Sequence, residues 1–480
     1  ISRRLPAPLN LRHSDFKFNK TSYNPAKFQI KRIKMDYDII VIGFGKAGKT
    51  LAAKSAALGK KVALIERSPQ MYGGTCINVG CIPTKRLVTA SKEAGFVNFS
   101  VLGEYFVLSM QKKDELVEAL RAKNLAMLKG NPNIDVIDGE GSFTSANSVR
   151  VLSPDGQTRE ISAGTIVVNT GSREVEPSFE VSSQIAYSSE EILNLKILPK
   201  HLVIVGGGFI GLEFASMFAG FGSKVSVLMR SKFMKNEDED VAASVKSALQ
   251  AQGVEIIEGC EFLSLNDREL KFNLAGESRV VAADAFLYAL GRRANTSELN
   301  LAAAGVQTDA HGNIITNEHL QSSVASIYAA GDVRGGEMFT YTSLDDFRII
   351  FSVLFGDGAR TTKNRTPHAS VLFTRTPLAR IGLSERKARA SGREIKVLKL
   401  SMAAVPGAKV VAHDEGMMKA VVDAASGEIL GAALHCVNAH EIVNELAIAM
   451  ALGAKADFFK NQIFTHPSIS EALNDLFGQF

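Results

Sequence analysis

Two cysteines five residues apart, Cys76 and Cys81, are the residues of this sequence best placed to do chemistry. They lie in a glycine-rich segment, residues 73–85, which reads Gly-Gly-Thr-Cys-Ile-Asn-Val-Gly-Cys-Ile-Pro-Thr-Lys. The sequence contains two further cysteines, Cys260 and Cys436, for which we expect structural roles. Four cysteines in 480 residues do not make a disulfide scaffold, and a close pair indicates redox or metal chemistry. We therefore expect Cys76 and Cys81 to form a redox-active pair.

The spacing of the two thiols restricts the backbone that carries them. In a regular helix, positions i and i+5 lie about 140° apart around the axis and roughly 8 Å apart. A disulfide requires Cα atoms within about 7 Å, so the first helical turn must be distorted, and the flanking glycines permit this. A thiol near a helix N-terminus has a lowered pKa and is a ready nucleophile. The alternatives are two buried thiols or a metal site, which two cysteines without neighbouring His or Cys supply poorly.

The glycine-rich turn at residues 43–50, Gly-Phe-Gly-Lys-Ala-Gly-Lys-Thr, follows a predicted buried strand and fits two motifs. As G-x-G-x-x-G, through Gly43, Gly45 and Gly48, it would hold a dinucleotide pyrophosphate at a helix N-terminus. As G-x-x-x-x-G-K-T it would be a P-loop, whose lysine contacts phosphate and whose threonine contacts magnesium. Glu66 ends the next predicted strand, where an acid binds a ribose hydroxyl, and favours the dinucleotide interpretation.

The same strand, turn and helix pattern recurs about 163 residues later, which predicts two nucleotide-binding domains. The glycines of this second turn are Gly206, Gly208 and Gly211. The position of the ribose-binding acid holds Met229, and Arg230 and Lys232 follow it. These cations favour NADPH over NADH because they suit a 2′-phosphate, the alternative being that they are ordinary loop charges.

Composition and charge exclude several classes of protein. Apolar residues make up 46% and charged residues 22%, which is typical of a globular protein. No apolar run is long enough to cross a bilayer, so we expect a cytoplasmic protein without a membrane partner. The net charge of +5 arises in residues 1–34, which hold nine Lys or Arg and one acid, while the remaining chain carries −3. That remainder lacks the basicity of a nucleic-acid-binding protein.

The basic leader, residues 1–34, is expected to be disordered. A transit peptide is one interpretation, because the segment is basic and poor in acids. We favour translated upstream sequence or a cloning remnant, because the pattern of the fold starts at Met35, directly before the first predicted strand.

Residues 73–85 resemble the active-site signature of the class I flavoprotein disulfide reductases, or pyridine nucleotide-disulfide oxidoreductases. That family includes glutathione reductase, dihydrolipoamide dehydrogenase and mercuric reductase. Residues 326–332, Ser-Ile-Tyr-Ala-Ala-Gly-Asp, are similar to its second flavin motif, whose Asp binds the ribityl chain. Glu213 matches the acid that pairs with the signature lysine, here Lys85, beside flavin N5. The resemblance extends from about residue 35 to residue 480.

The resemblance implies FAD and NADPH, with NADH possible, as cofactors. Electrons would pass from the nicotinamide through FAD to Cys81, which lies nearer the flavin, and then to Cys76, which meets the acceptor. The residues assigned to the flavin site are Gly43, Gly45, Gly48, Glu66, Thr75, Lys85, Thr170, Gly171 and Asp332. The residues assigned to the NAD(P)H side are Gly206, Gly208, Gly211, Glu213, Arg230, Lys232 and Gly291.

The C-terminal residues 464–471, Phe-Thr-His-Pro-Ser-Ile-Ser-Glu, resemble the His-Pro and Glu motif of the family. Thiol chemistry needs a group that takes up and returns a proton. The resemblance implies that His466 does this for Cys76 while Glu471 orients its imidazole. In the family this histidine comes from the other subunit, so a homodimer is implied.

The implied fold class is α/β, with two Rossmann-like dinucleotide-binding domains and a C-terminal α+β dimerisation domain. After the leader, we predict the first part of an FAD-binding domain over residues 35–185, with a long helical stretch over roughly residues 84–130. An NAD(P)H-binding domain follows over residues 186–297. The second part of the FAD-binding domain follows over residues 298–365, and the dimerisation domain occupies residues 366–480.

The electron acceptor is predicted from residues 339–348, Phe-Thr-Tyr-Thr-Ser-Leu-Asp-Asp-Phe-Arg. This stretch resembles the reactive-chlorine-resistance branch of the family, a copper(II) reductase group. Asp345 and Asp346 stand where the family has small apolar residues, and carboxylates near a dithiol would suit a cation better than an anionic disulfide. The sequence ends at Phe480 without the vicinal cysteines with which mercuric reductases hand over mercury, so efficient mercury reduction is not favoured.

We therefore predict reduction of a thiophilic metal ion, Cu(II) or Hg(II), with no resident metal site. A reductase of a small disulfide and a redox sensor without turnover are the alternatives. His435, Cys436 and His440 could suggest a copper site, but packing at an interface is favoured.

Overall fold

The computed structural model describes residues 35–480, and the leader for which we predicted disorder lies outside the described residues. The strands are β1 (Tyr37–Ile42), β2 (Val62–Glu66), β3 (Ile134–Asp138), β4 (Glu140–Ser145), β5 (Ser148–Leu152), β6 (Thr158–Val168), β7 (Ser172–Glu174), β8 (Glu180–Ser182), β9 (Ala186–Tyr187), β10 (His201–Val205), β11 (Lys224–Met229), β12 (Val254–Glu258), β13 (Cys260–Asn266), β14 (Glu269–Leu274), β15 (Glu277–Ala282), β16 (Ala285–Tyr288), β17 (Arg292–Ala294), β18 (Ile327–Ala329), β19 (Ser370–Leu372), β20 (Leu378–Gly382), β21 (Ile395–Ser401), β22 (Met417–Asp423) and β23 (Ile429–His435).

Thirteen α-helices connect and cover these strands in the described part of the chain. They are α1 (Lys46–Ala57), α2 (Thr75–Asn78), α3 (Cys81–Glu93), α4 (Leu102–Lys129), α5 (Phe209–Gly220), α6 (Glu239–Ala251), α7 (Leu301–Ala304), α8 (Thr340–Phe355), α9 (Glu385–Ala390), α10 (Pro406–Val410), α11 (Ala439–Ala451), α12 (Ala456–Asn461) and α13 (Ala472–Phe477).

The first glycine-rich turn lies in a seven-stranded sheet. Strands β3-β2-β1-β6-β18 run parallel, and β5 and β4 extend β6 in antiparallel orientation. Every residue of β1 except Asp38 is buried, as expected for a parallel strand with both faces covered. Helices α1 and α8 pack on one face, where Leu51, Ile349 and Ile350 are buried. This arrangement places the turn after β1 at the carboxyl edge of the sheet.

The second glycine-rich turn lies in a five-stranded parallel sheet of order β12-β11-β10-β16-β9. Its strands are apolar on both faces, and α5 packs against β10 and β11. The C-terminal sheet, β19-β20-β23-β22-β21, is antiparallel and is covered by α11 and α13. Together these sheets form the α/β fold with a C-terminal α+β unit that the sequence implied.

The prediction of one long helical stretch over residues 84–130 is wrong in one respect, because the structure has two helices there. Helix α3 ends at Glu93 and α4 begins at Leu102, with short 3₁₀ turns between them. The intervening residues include Gly95 and Asn98, which have poor helix propensity. The Asn98 side chain accepts a hydrogen bond from the backbone N–H of Ser100 at 3.1 Å, which competes with helical hydrogen bonding.

Candidate active site

The segment that carries the two cysteines is a broken helix, as their spacing required. Helix α2 ends at Asn78, and α3 begins at Cys81 after Gly80, whose backbone angles of φ −125° and ψ −116° are outside the helical region. A Cβ at Gly80 would lie 3.0 Å from the Thr75 carbonyl oxygen, so this position leaves little room for a side chain. The break brings the Cys76 and Cys81 side chains close enough for each to shift the pKa of the other.

The two thiols differ in their electrostatics. The hydrogen bond from Cys76 lowers the pKa of Cys81 to about 6, with further support from Thr340 and the Lys85 ammonium. The same hydrogen bond, together with burial and the charge on Cys81, raises the pKa of Cys76. The Thr340 hydroxyl at the start of α8 lies 3.5 Å from the Cys81 sulfur. Cys81 is therefore the thiolate of the pair near neutral pH.

Lys85 and Glu213 connect the dithiol helix to the second nucleotide-binding sheet. The Lys85 ammonium, one helical turn after Cys81, lies 2.6 Å from the carboxylate of Glu213 on α5. The other Glu213 oxygen accepts a hydrogen bond from the backbone N–H of Phe373, whose ring lies 4.9 Å below the ammonium. The pair is the one implied by the family resemblance, and it fixes a positive charge beside Cys81.

The first glycine-rich turn is shaped for a dinucleotide. Gly43 has φ +101°, and a Cβ there would lie on the backbone of Asn169. The Asn169 side chain joins the end of β6 to helix α1 and to the residue after β18, because it accepts from the backbone N–H of Gly48 at 2.8 Å and donates to the carbonyl of Ala330 at 2.6 Å. Glu66 at the end of β2 accepts the backbone N–H of Phe44 at 3.0 Å, and burial raises the pKa of Glu66.

The P-loop alternative does not fit this geometry. The Lys49 ammonium is buried and donates to the Gly73 carbonyl at 3.1 Å and to Asn124 at 2.7 Å, and burial lowers its pKa to about 8. The Thr50 hydroxyl donates to the Lys46 carbonyl of its own helix. Neither group faces the space in which a phosphate or magnesium ion would lie.

One cavity of about 2090 Å³ joins both glycine-rich turns and the dithiol. Most of the predicted site residues line it. They are Gly43, Gly45, Glu66, Thr75, Cys76, Cys81, Lys85, Thr170, Gly171, Gly206, Gly208, Glu213, Arg230, Lys232, Gly291 and Asp332. Gly48 and Gly211 lie behind the turns, where a Cβ would meet the carbonyl oxygens of Gly43 and Gly206 respectively, so their role is close packing.

The residues of the cavity fit an FAD molecule. The turn at Gly43 and Gly45 carries no side chains that would block a pyrophosphate, and Glu66 presents its carboxylate beside it. Asp332, the predicted ribityl contact, faces the cavity and accepts a hydrogen bond from the Ser172 hydroxyl at 2.6 Å. The cavity volume of about 2090 Å³ exceeds the roughly 300–1,000 Å³ that is usual for a small-ligand pocket, so it has room for an extended dinucleotide.

His466 and Glu471 lie outside this cavity of their own chain. The His466 Nδ1 atom is 2.8 Å from the Glu471 carboxylate, and this hydrogen bond lowers the pKa of Glu471. The His466 side chain is 70% exposed. The predicted pair is therefore formed, and its imidazole is largely open to solvent.

The expectation that Asp345 and Asp346 place negative charge near the dithiol is wrong. Both carboxylates are buried on the far face of α8 and do not line the cavity. Asp345 pairs with arginines 348, 360 and 365. Asp346 accepts the backbone N–H of Gly331 at 2.7 Å and pairs with arginines 334 and 365. These acids tie α8 to the segments before and after it, and their charge is neutralised.

His435, Cys436 and His440 do not form a metal site. No group of three metal-ligating side chains occurs within residues 35–480. His435 and Cys436 are buried, and burial lowers the pKa of His435 to about 4. The His435 ring is 2.7 Å from the Ser244 hydroxyl of α6. His440 instead lines the cavity and packs against Phe373, with ring centroids 5.6 Å apart.

Sequence reasoning missed Asn169, Thr340 and Phe373. Asn169 directly precedes the predicted Thr170-Gly171 turn, so a search for an amide beside that turn could have found it. Thr340 lies in the unusual stretch before α8, but no local pattern shows that it reaches Cys81. Phe373 belongs to the C-terminal unit, and its contact with Lys85 depends on tertiary packing alone.

Comparison with known proteins agrees with this geometry. The family model for pyridine nucleotide-disulphide oxidoreductase matches residues 37–346, and the model for the dimerisation domain of that family matches residues 368–477. The chain therefore belongs to the pyridine nucleotide-disulphide oxidoreductases, which are FAD-dependent enzymes with a nicotinamide nucleotide as electron donor. No helix in the described residues is long and apolar enough to span a membrane.

Among individual proteins, the chain is similar to the probable pyridine nucleotide-disulfide oxidoreductase RclA of Escherichia coli, with 44% identity covering 92% of this chain and 99% of RclA. A solved structure of RclA as a Cu(II) complex has a TM-score of 0.87 and 43% identity, and covers 92% of this chain and 99% of that one. Mercuric reductase of Lysinibacillus sphaericus is 32% identical, over 91% of this chain and 81% of the relative. Dihydrolipoyl dehydrogenase of Geobacillus stearothermophilus is 30% identical, over 91% of this chain and 94% of the relative.

Proposed function

We propose that this enzyme uses NADPH to reduce a thiophilic metal ion, Cu(II) above all, at the Cys76–Cys81 dithiol. The observation that carries the proposal is the pair of unlike thiols on the cavity wall, since a soft thiolate is the preferred ligand and reductant for such an ion. The Cu(II) complex described for the relative RclA supports the same acceptor class.

When bound, FAD would accept hydride from the nicotinamide and pass the electron pair on to the disulfide. Cys81 receives the electron pair, because the Cys76 thiol, Thr340 and Lys85 all stabilise its thiolate. Cys76 leaves the disulfide as the outer sulfur and takes up a proton, consistent with its raised pKa. The thiolate–thiol pair then gives one electron to each of two Cu(II) ions, forms the disulfide again and releases the one proton that Cys76 held.

We assign the uptake and return of the proton at Cys76 to His466 of a second copy of the chain. The His466–Glu471 pair lies outside the cavity of its own chain, and the His466 side chain is largely exposed. The match to the dimerisation domain supports association of two copies. In such a homodimer, Glu471 holds the Nδ1 proton of His466, so that Nε2 accepts a proton from one sulfur and returns it later.

The preference for NADPH over NADH is assigned to Arg230 and Lys232. Both side chains are exposed on the cavity wall after β11, and no carboxylate within the described residues pairs with them. Met229 is buried against Gly207 and presents no acid to a ribose hydroxyl. Replacing both cations by Ala should lower kcat/KM for NADPH and leave that for NADH unchanged, and equal loss with both nucleotides would contradict the assignment.

An acceptor panel tests the function directly. Purified enzyme is supplied with NADPH and with Cu(II), Hg(II), glutathione disulfide or lipoamide in turn, and NADPH oxidation is followed. The proposal expects acceleration by the metal ions and loss of that acceleration in Cys76→Ser. Acceleration by one disulfide and by neither metal would overturn it in favour of a small-disulfide reductase, for which the dihydrolipoyl dehydrogenase relatives are the supporting observation.

A further inference from the structure

A carboxylate and an imidazole face each other on the cavity wall beside the dithiol. Glu337 lies in the loop before α8, and His368 lies in the loop before β19. The His368 Nε2 atom is 2.5 Å from the Glu337 Oε2 atom, and both residues line the cavity that holds Cys76 and Cys81. The side chains remain accessible, with 36% of His368 and 56% of Glu337 exposed.

The pair is close to the dithiol through a short series of contacts. The Tyr341 ring packs edge-on against the His368 ring with centroids 5.9 Å apart, and Thr340, its neighbour in the chain, touches the Cys81 sulfur. The Tyr341 hydroxyl donates to the Ala369 carbonyl at 2.6 Å, which fixes the ring. Burial raises the pKa of Tyr341, and the negative charges of Glu337 and Cys81 raise it further, so both charges act on the same hydroxyl.

The donor atoms of this pair suit a metal ion. Two ligands bound about 2.0–2.1 Å from a metal at a right angle are about 2.8–3.0 Å apart, so a small opening of the observed contact would admit the ion. The His368 Nδ1 atom faces the Thr366 carbonyl at 3.4 Å, the type of second partner that leaves Nε2 free to ligate. Within the described residues, no Lys or Arg pairs with Glu337, so its negative charge is available.

We propose that Glu337 and His368 form a second, transient binding site that takes a divalent transition-metal ion such as Cu(II) and delivers it to the dithiol. The inference rests on the proposed function and deepens it by adding a binding step before reduction. Imidazole nitrogen and carboxylate oxygen are suitable ligands for Cu(II). Metal binding displaces the proton that the pair shares, and two ligands hold the ion weakly enough for the thiolates to take it over.

Cu(II) binding to the oxidised enzyme tests the site without turnover, because the disulfide cannot then bind the ion as a dithiolate. One equivalent of Cu(II) is added, and nitrogen coupling in the electron paramagnetic resonance spectrum and the affinity are measured. His368→Ala should lose the nitrogen-coupled signal, and Glu337→Gln, which keeps a hydrogen-bond acceptor, should weaken affinity about tenfold. His319→Ala is the matched control, because His319 lies 3.9 Å from Glu318 outside this cavity.

Steady-state kinetics separate the inference from the function on which it rests. Both variants should raise the KM for Cu(II) about tenfold with kcat changed less than about twofold, while flavin reduction by NADPH is unchanged. If the wild type and both variants turn over Cu(II) with the same KM and the same copper affinity, the inference is overturned and the proposed function stays intact. If the wild-type enzyme does not turn over Cu(II) at all, the proposed function is overturned. Delivery of copper from the pair to the dithiol is then overturned as well, even if the electron paramagnetic resonance signal shows that the pair binds copper.

Discussion

At the scale of single residues, the opposite pKa shifts of Cys76 and Cys81 support the different roles proposed for the two sulfurs. One hydrogen bond raises the pKa of Cys76 and lowers that of Cys81, so the two shifts have a common origin. The thiolate therefore forms on the sulfur beside Lys85 and Thr340, and the proton remains on the other sulfur. This order suits a relay in which electrons arrive at one sulfur and leave from the other.

Replacing Cys76 by Ser should separate these roles. The serine hydroxyl can still donate to Cys81, so Cys81 should keep a pKa near 6, as thiolate above that pH and as thiol below it. Alkylation of Cys81 by iodoacetamide, followed by mass spectrometry, should rise with pH through that midpoint, while the buried Cys260 and Cys436 remain unmodified. Flavin should stay bound and turnover should be lost. Full turnover in this variant would contradict the role of Cys76 as the outer sulfur.

Removing the charge of Lys85 should make Cys81 a weaker acid. The Lys85 ammonium lowers the pKa of Cys81, so Lys85→Met should move the alkylation midpoint to higher pH, by about one unit. Lys85→Arg keeps the charge opposite Glu213 and should retain most of the shift. An unchanged midpoint in Lys85→Met would show that the hydrogen bonds from Cys76 and Thr340 are sufficient by themselves.

The sequence predicted the site residues unevenly, and the reason is physical. Residues within one local motif could be proposed, because Cys76 and Cys81 stand close together in the sequence and the family resemblance of the same segment points to Lys85. Thr340 could not be assigned, since 259 residues separate it from the sulfur that it contacts. Asp346 was misjudged because its charge was visible in the sequence, whereas the arginines that neutralise it are brought there only by folding.

At the scale of secondary structure elements, the glycines at the helix N-termini differ in what they permit. A Cβ at Gly48 would lie 2.7 Å from both the Gly43 carbonyl and Val41, whereas a Cβ at Gly208 would have no atom within 4 Å. Gly48→Ala should therefore push α1 away from β1, lower the free energy of unfolding by about 1–3 kcal/mol and loosen FAD. Gly208→Ala should leave stability within about 0.5 kcal/mol. Urea unfolding measures both variants, and equal values would contradict the close packing of α1 on β1.

The acid–arginine cluster behind α8 should contribute strongly to stability. Asp346 is 0% exposed, and its carboxylate balances the positive charges of Arg334 and Arg365. Asp346→Asn leaves those arginines without this counter-charge and should lower the free energy of unfolding by about 3 kcal/mol. Asp357→Asn at the exposed end of the helix is the control and should change it little. Thermal or urea unfolding measures the stability of both variants. An Asp346→Asn variant as stable as the Asp357→Asn control would show that the cluster does not stabilise the fold.

Elements were predicted well where hydrophobic pattern and turn chemistry agree. Strands β1, β2, β10 and β11 follow from short apolar runs that end at glycine or at a charged residue. The pairing of β18 with β6 could not be read from the sequence, because the two strands are more than 150 residues apart and β18 has three residues. The break between α3 and α4 was missed because apolar residues continue across it.

At the scale of the whole molecule, the described chain does not bring all of the proposed reacting groups into one cavity. Its cavity contains the nucleotide turns, the dithiol and the Lys85–Glu213 pair, while His466 and Glu471 lie outside it. Large exposed apolar residues occur in the same C-terminal unit, and Ile448, Leu452 and Ile463 are among the most exposed. Exposed apolar side chains in a unit that matches the dimerisation domain are consistent with a second copy packing on it, with one histidine serving the other cavity.

Mixed dimers decide whether His466 acts on the dithiol of the other subunit. Cys76→Ser and His466→Ala chains, each inactive alone, are co-expressed with different affinity tags, and the heterodimer is isolated through both tags. If His466 acts between subunits, the intact dithiol of the His466→Ala chain receives an intact histidine from the Cys76→Ser chain. One of the two sites then works, and activity reaches about half of that of the wild type. If His466 acts within its own chain, both sites lack one group and the heterodimer is as inactive as the parents. A Glu471→Gln chain in place of His466→Ala should follow the same rule with a smaller loss, because it removes the group that orients the imidazole and not the imidazole itself.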